Sequence, residues 1–170
     1  RIWIYDTTHW TKAGAATTVI SDVISRKWVA DITSADETSV EVQAVFHRAL
    51  IAEGLDELIE AANPEGTAWD PESDDTPVLL VMSDNGPQMT SGSTKEFMAL
   101  AWLATHYGRP GTPTDQAWIE SLFGHLKGEH PHLESIEDID VLRAELEIRR
   151  TQYNEVRLHA GIGYVTPDQE

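Results

Sequence analysis

The sequence predicts an α/β fold in which helices flank a mixed β-sheet. Three β-rich segments with short polar links come first, and this arrangement favours an antiparallel meander. A continuous apolar run, Val78–Met82, follows later and is typical of a strand buried on both faces. The segments after the meander repeat their apolar residues at helical spacing, so helices should cover the sheet.

The first predicted strand covers Arg1–Tyr5 and runs into Asp6. The second begins at Thr17 and continues to Ile24. After a polar break the third covers Trp28–Ile32. These segments are rich in Ile, Val, Thr and Trp, the residue types that pack well on a pleated surface.

Four helices are predicted around these strands. The first spans about Thr38 to Ala61, with apolar residues at i, i+3, i+4, i+7 and i+8, and an acidic segment, Asn63–Pro77, follows as a mobile loop. The second helix is expected around an apolar stripe formed by Phe97, Leu100, Ala101 and Ala104. The third runs from Gln116 to about Gly128 with Asp115 as its N-cap, and the last from near Ile136 to Leu158.

The tryptophans divide into two groups in this interpretation. Trp3, Trp28, Trp102 and Trp118 are expected in the core, whereas Trp10 and Trp69 are expected nearer the surface.

Length and composition exclude several classes of protein. The chain of 170 residues suits one domain, residues 1–170, which we interpret as a piece of a longer protein. It has neither a signal-peptide pattern nor an apolar run of the roughly 20 residues that cross a bilayer, so no membrane partner is expected. The absence of cysteine excludes disulfides, thiolate zinc sites and cysteine nucleophiles, and it fits a reducing cytoplasm.

The net charge of −17 has the wrong sign for a domain that binds DNA by counterion release. Part of the excess is local, because residues 53–75 contain nine acids and neither Lys nor Arg. Removing those nine acids from the net −17 still leaves −8. Any affinity for DNA must therefore come from local basic residues, from bound cations or from segments outside this chain.

Three acids stand at positions where catalytic groups gather. Asp6 lies on or at the end of the first strand, Asp84 directly follows the buried strand, and Glu120 lies early in the third helix. Carboxylates suit Mg²⁺ or Mn²⁺, and a pair of such ions can promote phosphoryl transfer. Taken singly, each acid is more often a solvated surface group or a turn residue.

The combination of motifs resembles the insertion-sequence transposases related to retroviral integrases. The segments that carry the resemblance are Trp3–Thr8, Ser83–Gln88 and Thr112–Glu129, together with a tail that contains Tyr153-Asn154, Arg157, His159, Gly163-Tyr164 and Thr166-Pro167. Two features depart from the family pattern: Gln116 stands where Asn is frequent, and the acidic loop is longer than usual.

The resemblance implies a ribonuclease H-like fold with a mixed five-stranded sheet. It implies that Asp6, Asp84 and Glu120 form an Asp-Asp-Glu triad that holds two Mg²⁺ or Mn²⁺ ions when DNA is bound. The implied reaction is strand cleavage by water followed by attack of a DNA 3′-hydroxyl on a target phosphodiester. The implied partners are transposon-end and target DNA and further copies of the chain, with the domain that recognises the DNA ends absent. It also makes Lys127, two turns after Glu120, a DNA contact, whereas on residue chemistry alone a Lys paired with a nearby acid fits equally well.

Three alternatives remain. A ribonuclease H-type or junction nuclease would share the metals but stop at cleavage. A tyrosine recombinase would use Tyr153 or Tyr164 in a covalent adduct, and it leaves the three acids unexplained. A non-catalytic acidic interaction module would explain the charge of −17 and would show no dependence on divalent metal.

Overall fold

The computed structural model describes residues 1–108 and 117–170 and contains a five-stranded sheet in the order β3-β2-β1-β4-β5. The strands are β1 (Ile2–Trp10), β2 (Ala15–Asp22), β3 (Trp28–Ser34), β4 (Leu79–Ser83) and β5 (Leu103–Tyr107). The first three pair antiparallel as the predicted meander, whereas β4 pairs parallel with both β1 and β5. The predicted mixed sheet flanked by helices is confirmed.

The first strand is longer than predicted. It continues through Asp6 to Trp10, so Asp6 lies inside the strand, opposite Val19 of β2. The second strand ends earlier than predicted, because the carboxylate of Asp22 accepts hydrogen bonds from the backbone N–H groups of Ile24 and Ser25 and closes a turn.

One strand was missing from the predicted order. The helix expected to include Ala104 ends at Leu100, and Ala104 belongs to β5. The chain reverses direction at Trp102, whose φ of 54° is left-handed. The parallel register of Leu103 opposite Leu79 then supplies backbone partners that no local pattern within this short segment reveals.

The predicted helix over residues 38–61 is two helices, α1 (Ser39–Ala52) and α2 (Leu55–Ala62). A capping box between Thr38 and Glu41 starts α1. Gly54, with a φ of 63°, adopts the left-handed conformation that terminates helices and separates the two.

The acidic segment after α2 is tied to the rest of the fold at several points. The side-chain amide of Asn63 bonds to Thr67 in both directions, with its nitrogen donating to the Thr67 carbonyl and its oxygen accepting from the Thr67 N–H. The indole of Trp102 also donates to the Thr67 carbonyl, and the backbone N–H of Trp69 donates to the carbonyl of Ala99.

The remaining helices are α3 (Pro87–Thr90), α4 (Gly92–Leu100), α5 (Ala117–Glu129) and α6 (Ile139–Glu155). The predicted N-cap Asp115 and first helical residue Gln116 lie outside the described residues. The last helix begins later than predicted because Asp138 caps it, its carboxylate accepting from the N–H groups of Asp140 and Val141. None of the helices in residues 1–108 and 117–170 has the length and apolar character of a membrane span.

A hydrophobic core covers each face of the sheet. On one face, Trp3, Tyr5 and Val81 pack against α1 through Val45 and Phe46. The core on the other face joins strand residues to α5 and α6; among its members are Ile4, Trp10, Val19, Trp28, Ile119, Leu122, Leu126, Leu142 and Leu146.

Two expectations about the tryptophans were wrong. Trp10 is buried, with its indole N–H donating to the hydroxyl of Thr17, because β1 extends far enough to place it in the core. Trp118 is 49% exposed, because the neighbouring Ile119 faces the core.

Asn154 of α6 joins the helix to the edge of the sheet. Its side chain accepts from the backbone N–H of Trp28 and donates to the carbonyl of the same residue, both at 2.9 Å. Since Asn154→Ala leaves both buried backbone groups without partners, we expect the free energy of unfolding to fall by about 2 kcal/mol. Urea denaturation measures this, with the exposed Thr151→Ala of the same helix as the matched control. Equal stabilities of the two variants would contradict the prediction.

Candidate active site

The sheet register sets Asp6 and Asp84 side by side. Ile4 of β1 lies opposite Met82 of the parallel strand β4. Continuing this register by two residues places Asp6 opposite Asp84, the first residue after β4. Both side chains are half-buried. Asp6 within β1 and Asp84 just past the end of β4 therefore lie close together near the middle of the sheet.

The backbone holds one carboxylate oxygen of each aspartate. Asp6 Oδ1 accepts from the N–H of Thr7 at 2.7 Å, and Asp84 Oδ1 accepts from the N–H of Gly86 at 2.9 Å. A Cβ at Gly86 would stand 3.1 Å from that oxygen, so glycine allows the turn to close tightly around the carboxylate.

Helix α5 brings Glu120 to the same side of the sheet. Ile119 and Leu122 are buried against the core that contains Ile4, and this packing fixes the helix on β1. Glu120, in the first turn, is exposed. Its side chain is close enough to Asp6 to contribute to the electrostatics of that carboxyl group.

The pKa of Asp6 is raised to about 6, mainly by burial and to a smaller extent by the charges of Asp84 and Glu120, which act against the hydrogen bond from Thr7. The three acids are therefore electrostatic neighbours. They do not form a closed ligand cage, since within the part of the chain that the structure describes no group of three Asp, Glu or His side chains is placed to hold a metal ion. Such separation is expected of like charges in the absence of a cation.

Tyr5 and Ser83, which sequence reasoning did not single out, lie next to the two aspartates. Each precedes an aspartate by one residue, and that adjacency was the only signal in the sequence. The Ser83 hydroxyl donates to the backbone carbonyl of Asp84. Burial raises the pKa of the Tyr5 phenol, with smaller contributions from Tyr107 and Asp84, so the phenol stays neutral beside the acids.

Lys127 joins α5 to the end of β1. Its ammonium group donates to the carbonyl of His9 at 3.0 Å, lies 3.3 Å from a carboxylate oxygen of Glu134, and stands 4.9 Å from the centre of the Trp10 ring. The side chain is 31% exposed. Lys127 thus has the acidic partner expected from residue chemistry alone, together with a backbone contact that was not anticipated.

Other basic residues near the last helix are paired with acids. Arg149 pairs with Glu145 and Arg150 with Glu147 along α6, and Arg157 pairs with Glu129 of α5. The histidines pair in the same way, His125 with Glu129 and His132 with Glu145.

Comparison with known proteins agrees with this architecture. Residues 102–167 match the family described as "Integrase core domain". The chain is 30% identical over 94 residues to the transposase for insertion sequence element IS904 of Lactococcus lactis subsp. lactis (strain IL1403), a match that covers 54% of this chain and 36% of the relative. It is 31% identical over 94 residues to the uncharacterized 39.2 kDa protein of insertion element IS476 of Xanthomonas euvesicatoria, covering 52% of this chain and 26% of that relative. These matches span about a quarter to a third of the curated relatives.

Solved structures extend the similarity to the whole fold. The catalytic core domain of BIV integrase has a TM-score of 0.64 at 22% identity, covering 99% of this chain and 91% of that chain. The HTLV-2 integrase catalytic core domain in complex with magnesium (trimeric form) has a TM-score of 0.67 at 20% identity, with 99% and 94% coverage. This chain is therefore similar in sequence to insertion-sequence transposases over about half its length, matches the integrase core domain over residues 102–167, and has the ribonuclease H-like fold seen in the retroviral integrase catalytic cores.

Proposed function

We propose that this chain is the catalytic core of a metal-dependent DNA strand-transfer enzyme in which Asp6, Asp84 and Glu120 hold Mg²⁺ or Mn²⁺. The observation that carries the proposal is the register between β1 and β4, which sets two half-buried aspartates side by side with a third acid nearby. The match to an integrase core domain and the transposase relative support a reaction on DNA.

The donor set fits the ions. All three groups are carboxylates, the hard oxygen ligands that Mg²⁺ and Mn²⁺ prefer, and each aspartate is oriented by a backbone N–H. When bound, a pair of such ions activates the attacking oxygen and stabilises the leaving oxygen of an in-line displacement at phosphorus. The solved HTLV-2 core domain was obtained in complex with magnesium.

The residues of the chain have distinct tasks in this proposal. Asp6 within β1 and Asp84 directly after β4 define the position of the site. Glu120, on an exposed helical turn, has three side-chain torsions with which to reach the aspartates when their mutual repulsion is neutralised. The reaction needs no covalent intermediate with the protein, because water or a DNA 3′-hydroxyl is the nucleophile.

The partners that we propose are DNA and further copies of the chain. The relatives include a transposase, and among the solved neighbours are an intasome and a core domain in dimeric and trimeric forms. We propose that segments outside this chain supply most of the DNA affinity, because the chain carries a net charge of −17.

The test is a strand-transfer assay with a pre-cut transposon end, performed on the parent protein with Mg²⁺ or Mn²⁺ and with EDTA. Joining of the 3′-end to target DNA in the presence of metal is the expected result. Cleavage without joining would assign the chain to a nuclease instead. A covalent protein–DNA adduct, or activity that persists in EDTA, would overturn the metal-dependent mechanism.

Lys127→Ala separates a role in DNA binding from a role in the fold. We expect the slope of log affinity against log salt to decrease by about one unit, as for the loss of one phosphate contact. Unfolding free energy should also fall by about 1 kcal/mol, because the variant loses the hydrogen bond to His9 and the contact with Trp10. A salt titration in Ca²⁺, which limits cleavage, measures the first effect, with Lys95→Ala as the control. An unchanged salt slope would remove Lys127 from the DNA path and leave it a structural residue.

A further inference from the structure

Trp118 presents a half-exposed aromatic ring in the same helical turn as Glu120. Between the two residues lies Ile119, which is buried in the core. Because successive residues of an α-helix are rotated by about 100°, Trp118 and Glu120 emerge on opposite flanks of α5, on either side of its buried face. One flank faces the aspartates, and the other faces the turn between β2 and β3.

That turn places Arg26 directly over the Trp118 ring. The guanidinium carbon stands 3.3 Å from the ring centroid, the geometry of a cation–π stack. Arg26 has a φ of 66°, a left-handed conformation that costs energy for a residue with a side chain. The strained backbone therefore presents a cation to one face of an aromatic ring that remains 49% exposed.

The charges around Arg26 are only partly balanced. Asp22 acts on Arg26, but Asp22 Oδ1 accepts from the N–H groups of Ile24 and Ser25. Arg157 lies nearby and pairs with Glu129. Within the described ranges, the buried Nη1 of Arg26 and Nε of Arg157 have no hydrogen-bond partner. In the part of the chain that the structure describes, Arg26 itself forms no ion pair, so its guanidinium gives this flank of α5 a local positive charge that favours a phosphate.

We propose that Trp118, backed by Arg26, is a stacking platform for an unpaired nucleobase of the DNA strand that enters the active site. The proposal rests on the proposed function, because it takes DNA as the occupant. Base stacking on an aromatic side chain accepts any base, and an arginine on the opposite face of the ring strengthens such sites. The positive charge of Arg26 favours an adjoining phosphate, whereas the charge of Arg157 is offset by its pair with Glu129.

The position of the platform predicts which nucleotide it takes. An α-helix is about 10 Å across, and stacked nucleotides advance by about 3.4 Å each, so about three nucleotides bridge the two flanks of α5. The base on Trp118 is thus expected within about three nucleotides of the phosphate that reacts near Glu120. If the stack of Arg26 on Trp118 only holds the β2–β3 turn on α5, DNA affinity should not depend on the base at any one of these positions.

The experiment measures the affinity of end-labelled oligonucleotides with unpaired ends for the protein carrying Asp84→Asn, in Ca²⁺, so that no turnover interferes. An abasic position is moved along the end one nucleotide at a time. We expect one position within about three nucleotides of the reactive phosphate to weaken binding about tenfold. Adding Trp118→Leu should weaken binding of the intact strand by a similar factor and abolish the effect of the abasic position.

Further variants distinguish stacking from packing and charge. Trp118→Phe should retain the abasic effect, because it keeps an aromatic face. Arg26→Gly relaxes the left-handed backbone and should weaken DNA binding. Arg26→Lys keeps the charge without the planar stack, so its DNA affinity should lie between those of the wild type and Arg26→Gly. Tyr164→Ala, which removes an aromatic residue that is 70% exposed elsewhere, is the matched control and should change nothing.

The platform would be overturned if Trp118→Leu left the affinity for the intact strand unchanged, or if the abasic position weakened binding equally with and without Trp118→Leu. It would also be overturned if Trp118→Leu changed the oligomeric state but not the DNA affinity, which would identify a protein partner. A failed strand-transfer assay with the abasic dependence intact would reject the proposed reaction and leave the platform standing. The two proposals therefore fail separately.

Discussion

Replacement of Asp84 by Asn should reduce strand transfer by roughly 10³-fold or more while the protein remains folded, as is typical when a central catalytic group is removed. Asn keeps an oxygen that accepts from the N–H of Gly86, so the turn after β4 should survive. It loses the negative charge that attracts a divalent cation, so the proposed site keeps only two of its three carboxylates.

The measurement is the yield of joined product per protein at saturating DNA in Mg²⁺. Asp74→Asn, which removes an exposed acid from the segment after α2, is the matched control for a change of one charge and should retain full activity. Activity of Asp84→Asn above about a tenth of the wild type would contradict the role of Asp84 as a metal ligand.

Replacement of Asp6 by Asn should stabilise the metal-free protein by roughly 2–3 kcal/mol at neutral pH. The folded protein raises the pKa of Asp6 to about 6 from the ordinary value of 3.8, because the group is buried beside two other acids. Ionised Asp6 therefore opposes folding fully above pH 6. The penalty diminishes as the pH falls from about 6 to 3.8, and below 3.8 both states are protonated. The free energy of unfolding, measured by urea denaturation in EDTA at several pH values, should be higher for Asp6→Asn than for the wild type at pH 7. The two proteins should have equal stability near pH 3.5.

In millimolar Mn²⁺ the wild type should become more stable than Asp6→Asn, the reverse of the order in EDTA. An ion that binds only the folded state stabilises it by mass action, so the wild type should gain in melting temperature. Asp6→Asn and Asp84→Asn should lose most of that gain. An equal gain in all three proteins would indicate nonspecific binding to the acidic surface and would count against the proposed site.

The elements that could be predicted from the sequence are those whose signal is contained in a few consecutive residues. The apolar run Val78–Met82 identified the interior strand β4, since a strand with neighbours on both sides and helices over both faces disfavours polar side chains. The Asp84-Asn85-Gly86 turn and the strand leading to Asp6 made two acids candidates, and the structure places them close together on neighbouring segments of the sheet. The resemblance to the transposases added Glu120 as a candidate, since no local pattern separates it from other exposed helical acids.

The elements that could not be predicted depend on partners distant in sequence. Strand β5 exists because Leu103–Tyr107 pairs with β4, and the same five residues show no β-pattern of their own. For a related reason, Trp10 is buried although it was expected near the surface, and Trp118 is exposed although it was expected in the core. A tryptophan is buried or exposed according to what the rest of the chain places over it, and Arg26, which covers one face of Trp118, arrives from a turn 92 positions earlier.

The site shows the same division. Residue types made the three carboxylates candidates for a metal site, because hard-oxygen chemistry is a property of the side chains themselves, and the resemblance to the transposases grouped them. Their proximity, the raised pKa of Asp6 and the engagement of Lys127 with His9 are properties of the assembled sheet and helix. Burial and Coulomb interactions depend on distances through space, and those distances are set by the pairing of β1 with β4 and the packing of α5 on β1, which join residues far apart in the chain.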